Sequence, residues 1–178
     1  SLLTDLTKGH PLVSEFGLSE AEILDLIDDH FRLKIAVRGA VAEKHLEDLI
    51  GQSSAVSDYR KIDEDGQPDF EVTYKQRRPV LIECKNVGRK TNAEGSPKVD
   101  FQKTRAAKGD HCSRYYRYDQ FEILAACLYP ILESWDYRFC LTRSMAEHPN
   151  CPGRMSQKVM VTDEWDDSLE TVLDVVTR

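Results

Sequence analysis

The stretch that decides the fold lies near the middle of the chain and reads PDFEVTYKQRRPVLIECK, residues 68–85. Its first half alternates in polarity and its second half contains an apolar run, with a short polar turn at 75–78 between them. This pattern predicts two β-strands, over residues 69–75 and 79–85, joined closely enough to pair antiparallel. Because side chains alternate along a strand, Glu83 and Lys85 share one face while Ile82 and Cys84 point to the core.

The hairpin also predicts a cluster of charged groups at one point of the sheet. Asp69 stands at the entrance of the first strand and Glu83 ends the second, and paired strands bring such positions side by side. Two converging carboxylates become favourable when a hard cation lies between them, and with the Cys84 carbonyl they form an oxygen set that suits Mg²⁺ or Mn²⁺. Lys85 would neutralise charge on a phosphate or orient the attacking water. These residues predict phosphodiester hydrolysis.

A preceding helix adds another acid to the candidate site. Residues 38–50 have a helical apolar period and are followed by Gly51, which is typical of a helix end. At about 100° per residue, Glu43 falls within the apolar arc of this helix and points inward. Such a carboxylate is costly unless it is paired or metal-bound, so Glu43 is a candidate site residue. The alternative is neutralisation by a buried lysine or arginine, with Lys85 among the candidates.

The rest of the chain alternates helical and strand patterns. Ser19 and Glu22 form a capping-box signature that opens a helix near residues 19–33. The other predicted elements are strands at 55–62, 137–142 and 159–161, a long polar loop or irregular helices at 86–117, and helices at 121–132 and 168–176. This order predicts an α/β or α+β fold, a central mixed sheet flanked by helices. We expect one domain over 1–178, with a core at about 38–142, an extra helical extension at 1–37 and a C-terminal strand and helix at 143–178.

The central motif resembles that of a known family. Pro68-Asp69, thirteen further residues and Glu83-Cys84-Lys85 are similar to the PD-(D/E)XK motif of restriction-endonuclease-like nucleases, and Glu43 resembles the extra acidic residue that many members carry on a preceding helix. The resemblance covers about residues 38–142. It implies an αβββαβ core, Mg²⁺-dependent cleavage of DNA that leaves 5′-phosphate ends, metal ligation by Asp69 and Glu83, and a catalytic role for Lys85.

A basic segment overlaps and follows the hairpin. Residues 75–117 hold twelve Lys or Arg against four acids, a charge of about +8, in a chain whose net charge is −7. Because cations neutralise phosphates and tyrosines stack on bases, we expect double-stranded DNA as the partner. The candidate DNA-contact residues are Lys103, Arg105, Lys108, Arg114, Tyr115 and Arg117. The alternative for each is a solvated loop whose tyrosines anchor it to the core.

The cysteines and the chain start bear on the setting of the protein. Five cysteines are scattered and never spaced as CxxC, so we expect neither a disulfide framework nor a zinc ribbon, and a reducing cytoplasmic setting is favoured. The neighbours His111 and Cys112 are interpreted as loop residues, since adjacent side chains rarely converge on one ion. No apolar run reaches the about 18 residues of a membrane helix, and no membrane association is expected. The start at Ser1 is typical of a processed product, an excised domain or a tag remnant, so a missing additional domain stays open.

Together these features favour a Mg²⁺-dependent DNA endonuclease, for which Mn²⁺ can substitute. A type II restriction enzyme, or the nuclease domain of a larger restriction or defence protein, is the favoured context, and a homodimer would cut both strands. The alternatives are a DNA repair or junction-resolving nuclease, an RNA-cutting enzyme, and a nuclease-like module that binds DNA or a protein without turnover. The complete Asp69, Glu83 and Lys85 set argues against the last, because a pure binder has no use for unpaired carboxylates beside a phosphate.

Overall fold

A computed structural model describes residues 9–103 and 105–178 of the chain. The described residues form five α-helices: α1 Pro11–Phe16, α2 Glu20–Asp29, α3 Phe31–Gln52, α4 Tyr129–Leu132 and α5 Leu169–Val176. They also form nine strands: β1 Val56–Lys61, β2 Phe70–Tyr74, β3 Pro79–Thr91, β4 Pro97–Asp100, β5 Ile123–Cys127, β6 Tyr137–Leu141, β7 Glu147–His148, β8 Cys151–Met155 and β9 Lys158–Met160. Across this part of the chain, no helix has both the length and the apolar character that crossing a membrane demands.

The chain divides into two compact units, and the described residues of the first are 9–41. In it, α2 begins with the predicted capping box: the Ser19 hydroxyl accepts the Glu22 N–H at 3.2 Å, and the Glu22 carboxylate accepts the Ser19 N–H at 2.8 Å. The helix predicted over 19–33 ends earlier, because His30 has extended backbone angles of φ −103° and ψ 102°. α3 begins directly after this break, well before the predicted start at residue 38.

The second unit, residues 42–178, is built on a mixed sheet of seven strands among its described residues. β1, β2 and β3 pair antiparallel in chain order, β5 pairs parallel with β3, and β6 pairs antiparallel with β5. The far end of β3 pairs with β4, which in turn pairs with β9. The strands predicted at 55–62, 69–75, 137–142 and 159–161 and the helix at 168–176 are confirmed, with their ends shifted by a few residues.

Both faces of the sheet are buried at β5. Ile123, Ala125 and Cys127 of β5 join a hydrophobic cluster with α3 and α5, whereas the alternate residues Leu124 and Ala126 join a second cluster with β4 and β9. The α3 side chains that enter the first cluster recur one helical turn apart: Ala42, Leu46 and Ile50. The unit is therefore a mixed α+β structure, a central mixed sheet flanked by helices.

The helix predicted at 121–132 is wrong over residues 123–127, which form β5, and only its last four residues are helical, as α4. All five residues of β5 are buried, and this strand lies between β3 and β6 in the sheet. A short apolar run that is buried on both faces has no period that separates a strand from a helix. The loop predicted at 86–117 is also wrong in part, because β3 continues to Thr91 and turns back into β4. Among the described residues, the connection from β3 to β5 therefore holds a strand and a 3₁₀ turn where the αβββαβ order would place a helix.

The sequence predicts no disulfide framework, and among the described residues the structure holds one disulfide that the cysteine spacing does not predict. Cys112 and Cys151 form a disulfide across a sequence separation of 39 residues, with their Cα atoms 5.6 Å apart. The 3₁₀ turn His111–Arg114 carries the first cysteine and β8 carries the second. A pairing over so many residues leaves no local spacing signal in the sequence. The other three cysteines, Cys84, Cys127 and Cys140, are free.

Candidate active site

Asp69 is fixed at the start of β2 by two hydrogen bonds to β3. Its backbone N–H donates to the Ile82 carbonyl at 3.1 Å, and its Oδ2 accepts the Cys84 N–H at 2.7 Å. Because the neighbouring Phe70 packs into the core, the Asp69 side chain leaves on the other face. The carboxylate therefore lies against the β3 residues that the sequence singles out.

The carbonyl of Cys84 is a second oxygen at this place. In a strand, the N–H and C=O of one residue point to the same edge, so this carbonyl faces the residues that precede Asp69. Pro68 has no N–H to offer, and the Gln67 N–H donates to the Glu64 carbonyl at 3.2 Å. The turn that leads into β2 thus supplies no backbone donor to the Cys84 oxygen.

Glu83, Lys85 and Tyr116 form a buried polar group beside Asp69. The Lys85 Nζ lies 2.8 Å from the Glu83 Oε1, and the Tyr116 hydroxyl donates to the same oxygen at 3.2 Å. Only 5% of the Glu83 surface is exposed. Burial is the strongest single influence and would lower the pKa of Lys85, but the charges of Glu83 and Tyr116 and the hydrogen bonds to them together outweigh burial, so the pKa lies above its ordinary value. Burial and the Glu83 charge raise the pKa of Tyr116 to about 12, which keeps its hydroxyl a donor.

Negative charge is in excess around Asp69. Burial, followed by the charge of Glu83, raises the pKa of Asp69 to about 7. The Cys84 N–H and the Lys85 charge act in the opposite direction without compensating for this. Asp69 Oδ1 and Glu83 Oε2 accept no hydrogen bond from any residue that the structure describes. Two acids with open oxygens, of which Asp69 has a raised pKa, are a donor set that a hard divalent cation fits.

Glu43 has a different partner from the one considered in the sequence. Its Oε2 lies 3.2 Å from the Nζ of Lys61 on β1, and both side chains are about a third exposed. The Glu43 charge still contributes to the raised pKa of Asp69. However, within the described residues, Glu43, Asp69 and Glu83 do not bring three carboxylate oxygens within 4.8 Å of one another. In this arrangement Glu43 acts on the site through its charge.

A cavity of about 540 Å³ opens at these residues. Asp69, Glu83 and Lys85 line it together with Lys103 and Arg105, so acids and cations border the same cavity. A larger cavity of about 760 Å³ lies elsewhere and is lined by acidic residues in the segment 163–167. Its acids would repel a polyanion, and it contains none of the residues of the hairpin motif.

The remaining predicted DNA-contact residues have mixed environments. Lys108 is exposed, and the exposed Arg117 pairs with Asp119 at 2.8 Å. Arg114 is half-buried, and its Nε has no hydrogen-bond partner among the described residues. The Tyr115 ring stacks on His148 with the ring centres 4.1 Å apart. Lys103, Arg105 and Lys108 are therefore the residues of this segment that are most available to contact DNA, whereas Tyr115 packs against the protein.

Tyr116 is the site residue whose role sequence reasoning missed. In the sequence it is one of several tyrosines in the basic segment 75–117, but in the structure it is buried and its hydroxyl donates to Glu83. Its ring also lies near two cations, 5.7 Å from the Lys85 Nζ and 5.6 Å from the Lys103 Nζ. The available signal was the pair Tyr115-Tyr116, since adjacent residues in extended chain point to opposite sides.

Comparisons with known proteins add one structural likeness. No family model matches the chain, and no curated protein matches it. Among solved structures the chain is similar to a bacterial homing endonuclease, I-Ssp6803I, with a TM-score of 0.48 and 13% sequence identity, covering 68% of this chain and 84% of that one. A likeness at this level supports no conclusion about fold or function. Any proposal about function therefore depends on the residues of the site.

Proposed function

We propose that this protein is a divalent-metal-dependent endodeoxyribonuclease of the restriction-endonuclease-like class. The observation that carries the proposal is the meeting of Asp69, Glu83 and Lys85 at one cavity, with Asp69 hydrogen-bonded to the residue between the other two. Paired acids and a lysine at a cavity with a cationic wall suit the cleavage of a phosphodiester better than the binding of an uncharged ligand.

Three oxygen groups would hold Mg²⁺ or Mn²⁺: the carboxylates of Asp69 and Glu83 and the carbonyl of Cys84. The fit rests on the open carboxylate oxygens, the raised pKa of Asp69 and the absence of a turn donor to the Cys84 carbonyl. When bound, the cation supplies the charge neutralisation and water activation that phosphodiester hydrolysis needs.

The chain's own residues divide the remaining work. Lys85 is held by Glu83 as a charged ammonium at the cavity, where it offsets the negative charge that grows on the phosphate oxygens during attack. Tyr116 donates to Glu83 from the other side and fixes that carboxylate. Glu43, paired with Lys61, supports the site through its charge.

The substrate is DNA in this proposal because of the charge around the cavity. Lys103 and Arg105 line the wall and Lys108 is exposed on the same segment, so they would position a sugar–phosphate strand over the acids. Arg114, Tyr115 and Arg117 are assigned to the rim of this surface. A type II restriction enzyme, acting as a homodimer or as part of a larger restriction or defence protein, is the context we propose, since duplex cleavage needs two cuts.

Cleavage of supercoiled plasmid DNA tests the proposal. We expect nicked and linear products with Mg²⁺ or Mn²⁺ and none with EDTA. Asp69→Asn and Lys85→Ala should each lower the initial rate by at least about 100-fold, the scale of losing one group that stabilises transition-state charge. Asp58→Asn and Lys158→Ala are matched controls on exposed strand positions outside the cavity and should keep the rate.

The alternatives predict other outcomes of the same assay. A shift of plasmid mobility without cleavage in Mg²⁺ would identify a binding module. Cleavage of RNA but not of DNA would identify a ribonuclease, and cleavage confined to branched substrates would identify a junction-resolving enzyme. Metal-dependent nicking that survives Asp69→Asn would place the chemistry at another site.

A further inference from the structure

A second cluster of metal-binding side chains lies on the segment that carries Tyr116. Adjacent side chains such as those of His111 and Cys112 rarely converge on one ion, but here the ligand atoms of His111, Cys112 and Cys151 all lie within 4.8 Å of one another. The His111 Nε2 is 3.6 Å from the Cys112 Sγ and 3.8 Å from the Cys151 Sγ. A disulfide needs no imidazole beside it, so the disulfide alone does not explain the position of the His111 ring.

The distances fit a common tetrahedral ion. With Zn–S of about 2.3 Å and Zn–N of about 2.0–2.1 Å, an imidazole nitrogen and a thiolate sulfur on one tetrahedral Zn²⁺ lie about 3.6 Å apart, and two such sulfurs lie about 3.8 Å apart. The two nitrogen-to-sulfur distances already match. Only the sulfur-to-sulfur separation has to change, from a covalent bond to that spacing, by rotation of the side chains.

We propose that His111, Cys112 and Cys151 form a binding site for a soft divalent transition-metal ion, Zn²⁺ foremost, when the two thiols are reduced. A phosphine or dithiol reductant gives two electrons to the disulfide and is itself oxidised to the phosphine oxide or a disulfide, and the two sulfurs take up two protons. The ion then displaces the two thiol protons, and two thiolates with one imidazole are the ligand set that zinc prefers. The exposed position of His111 leaves the fourth coordination place open to water.

The site would connect two segments that meet next to the candidate active site. One is the 3₁₀ turn His111–Arg114, which leads directly to Tyr116. The other is β8, which already contacts that segment: the Met155 N–H donates to the Tyr116 carbonyl at 2.8 Å, and Arg154 Nη1 donates to the Tyr115 carbonyl at 3.0 Å. An ion bound here would fix the position of Tyr116 whether or not the proposed nuclease activity exists.

Metal binding and thiol counts test the proposal without an activity assay. The whole chain is reduced with a water-soluble phosphine, which becomes its oxide by taking up oxygen from water, and is then titrated with Zn²⁺ or Co²⁺ in excess Mg²⁺. We expect about one ion per chain and a near-ultraviolet thiolate-to-Co²⁺ charge-transfer band, which carboxylate oxygens at Asp69 and Glu83 cannot give. After denaturation in chelator, five thiols per chain should react, against three if the disulfide persists.

Single substitutions separate a metal site from a plain disulfide. His111→Ala leaves both cysteines in place, and we expect it to weaken metal binding by at least about 10-fold, the lower end of the loss caused by removing even an outer partner of a metal site. Cys112→Ser should remove the charge-transfer band. The control is Cys140→Ser, which changes a free, half-buried cysteine outside the cluster and should leave the band unchanged. Three reactive thiols after reduction, a missing band in the reduced wild type, or equal affinity in His111→Ala would each overturn the proposal.

Discussion

Asp69→Asn should stabilise the metal-free protein above neutral pH although it removes a residue of the candidate site. In the folded chain the pKa of Asp69 is raised from 3.8 to about 7, first by burial and then by the charge of Glu83. Between these values the folded protein holds a proton that the unfolded chain has lost. Stability from this group is therefore greatest at low pH and falls as the pH rises through about 7.

The size of this effect follows from the same two values. At 1.36 kcal/mol per pH unit, the gap between 3.8 and about 7 corresponds to an upper figure of about 4 kcal/mol for the charged, metal-free state. The asparagine amide removes the charge and still offers an oxygen to the Cys84 N–H, which donates to Asp69 at 2.7 Å. The variant should therefore recover most of this free energy of unfolding.

Urea unfolding in EDTA at about pH 5 and about pH 8.5 measures the effect. We expect the wild type to lose stability between the two pH values relative to Asp69→Asn, while Asp58→Asn follows the wild type. Mg²⁺ should then stabilise the wild type, by about 2.7 kcal/mol at one hundred times its dissociation constant, and leave Asp69→Asn unchanged. Equal pH dependence of the two proteins, or a variant less stable than the wild type at the higher pH, would refute the reasoning.

Three further changes test other parts of the structure. Tyr116→Phe removes the hydroxyl that donates to Glu83 and should lower the free energy of unfolding by about 1.5–3 kcal/mol in urea, and an unchanged midpoint would count against that hydrogen bond. Leu46→Ala on the buried face of α3 should cost about 2–5 kcal/mol, whereas Leu49→Ala, 39% exposed on the same helix, should cost within about 0.5 kcal/mol. Lys61→Met leaves the Glu43 charge unpaired and should raise the pKa of Asp69 further, seen as an upward shift of the pH at which stability falls.

The hairpin could be predicted from sequence because its signals are local. Alternation in residues 69–75, the apolar run before Glu83 and the short turn between them define two strands and the faces of their side chains. The Asp69 and Glu83 placements follow from that pairing. The capping box at Ser19 is local in the same sense, since its two residues lie within one helical turn.

The features that sequence reasoning missed depend on contacts between distant parts of the chain. β5 is a strand because β3 and β6 lie on either side of it, and its own five apolar residues are compatible with a helix. Tyr116 reaches Glu83 across 33 positions, and Cys112 meets Cys151 across 39. The partner of Glu43 is likewise a distant contact: the sequence leaves any buried lysine or arginine open, Lys85 among them, and the structure pairs Glu43 with Lys61 of β1.

The residue at position 68 has a consequence for how this hairpin could change. Any other amino acid there would add a backbone N–H to the turn before Asp69. Proline adds no such donor, so the turn competes less with an outside ligand for the oxygens at the start of β2. Pro68→Ala is therefore expected to keep the strand pairing and to weaken the binding of a divalent cation.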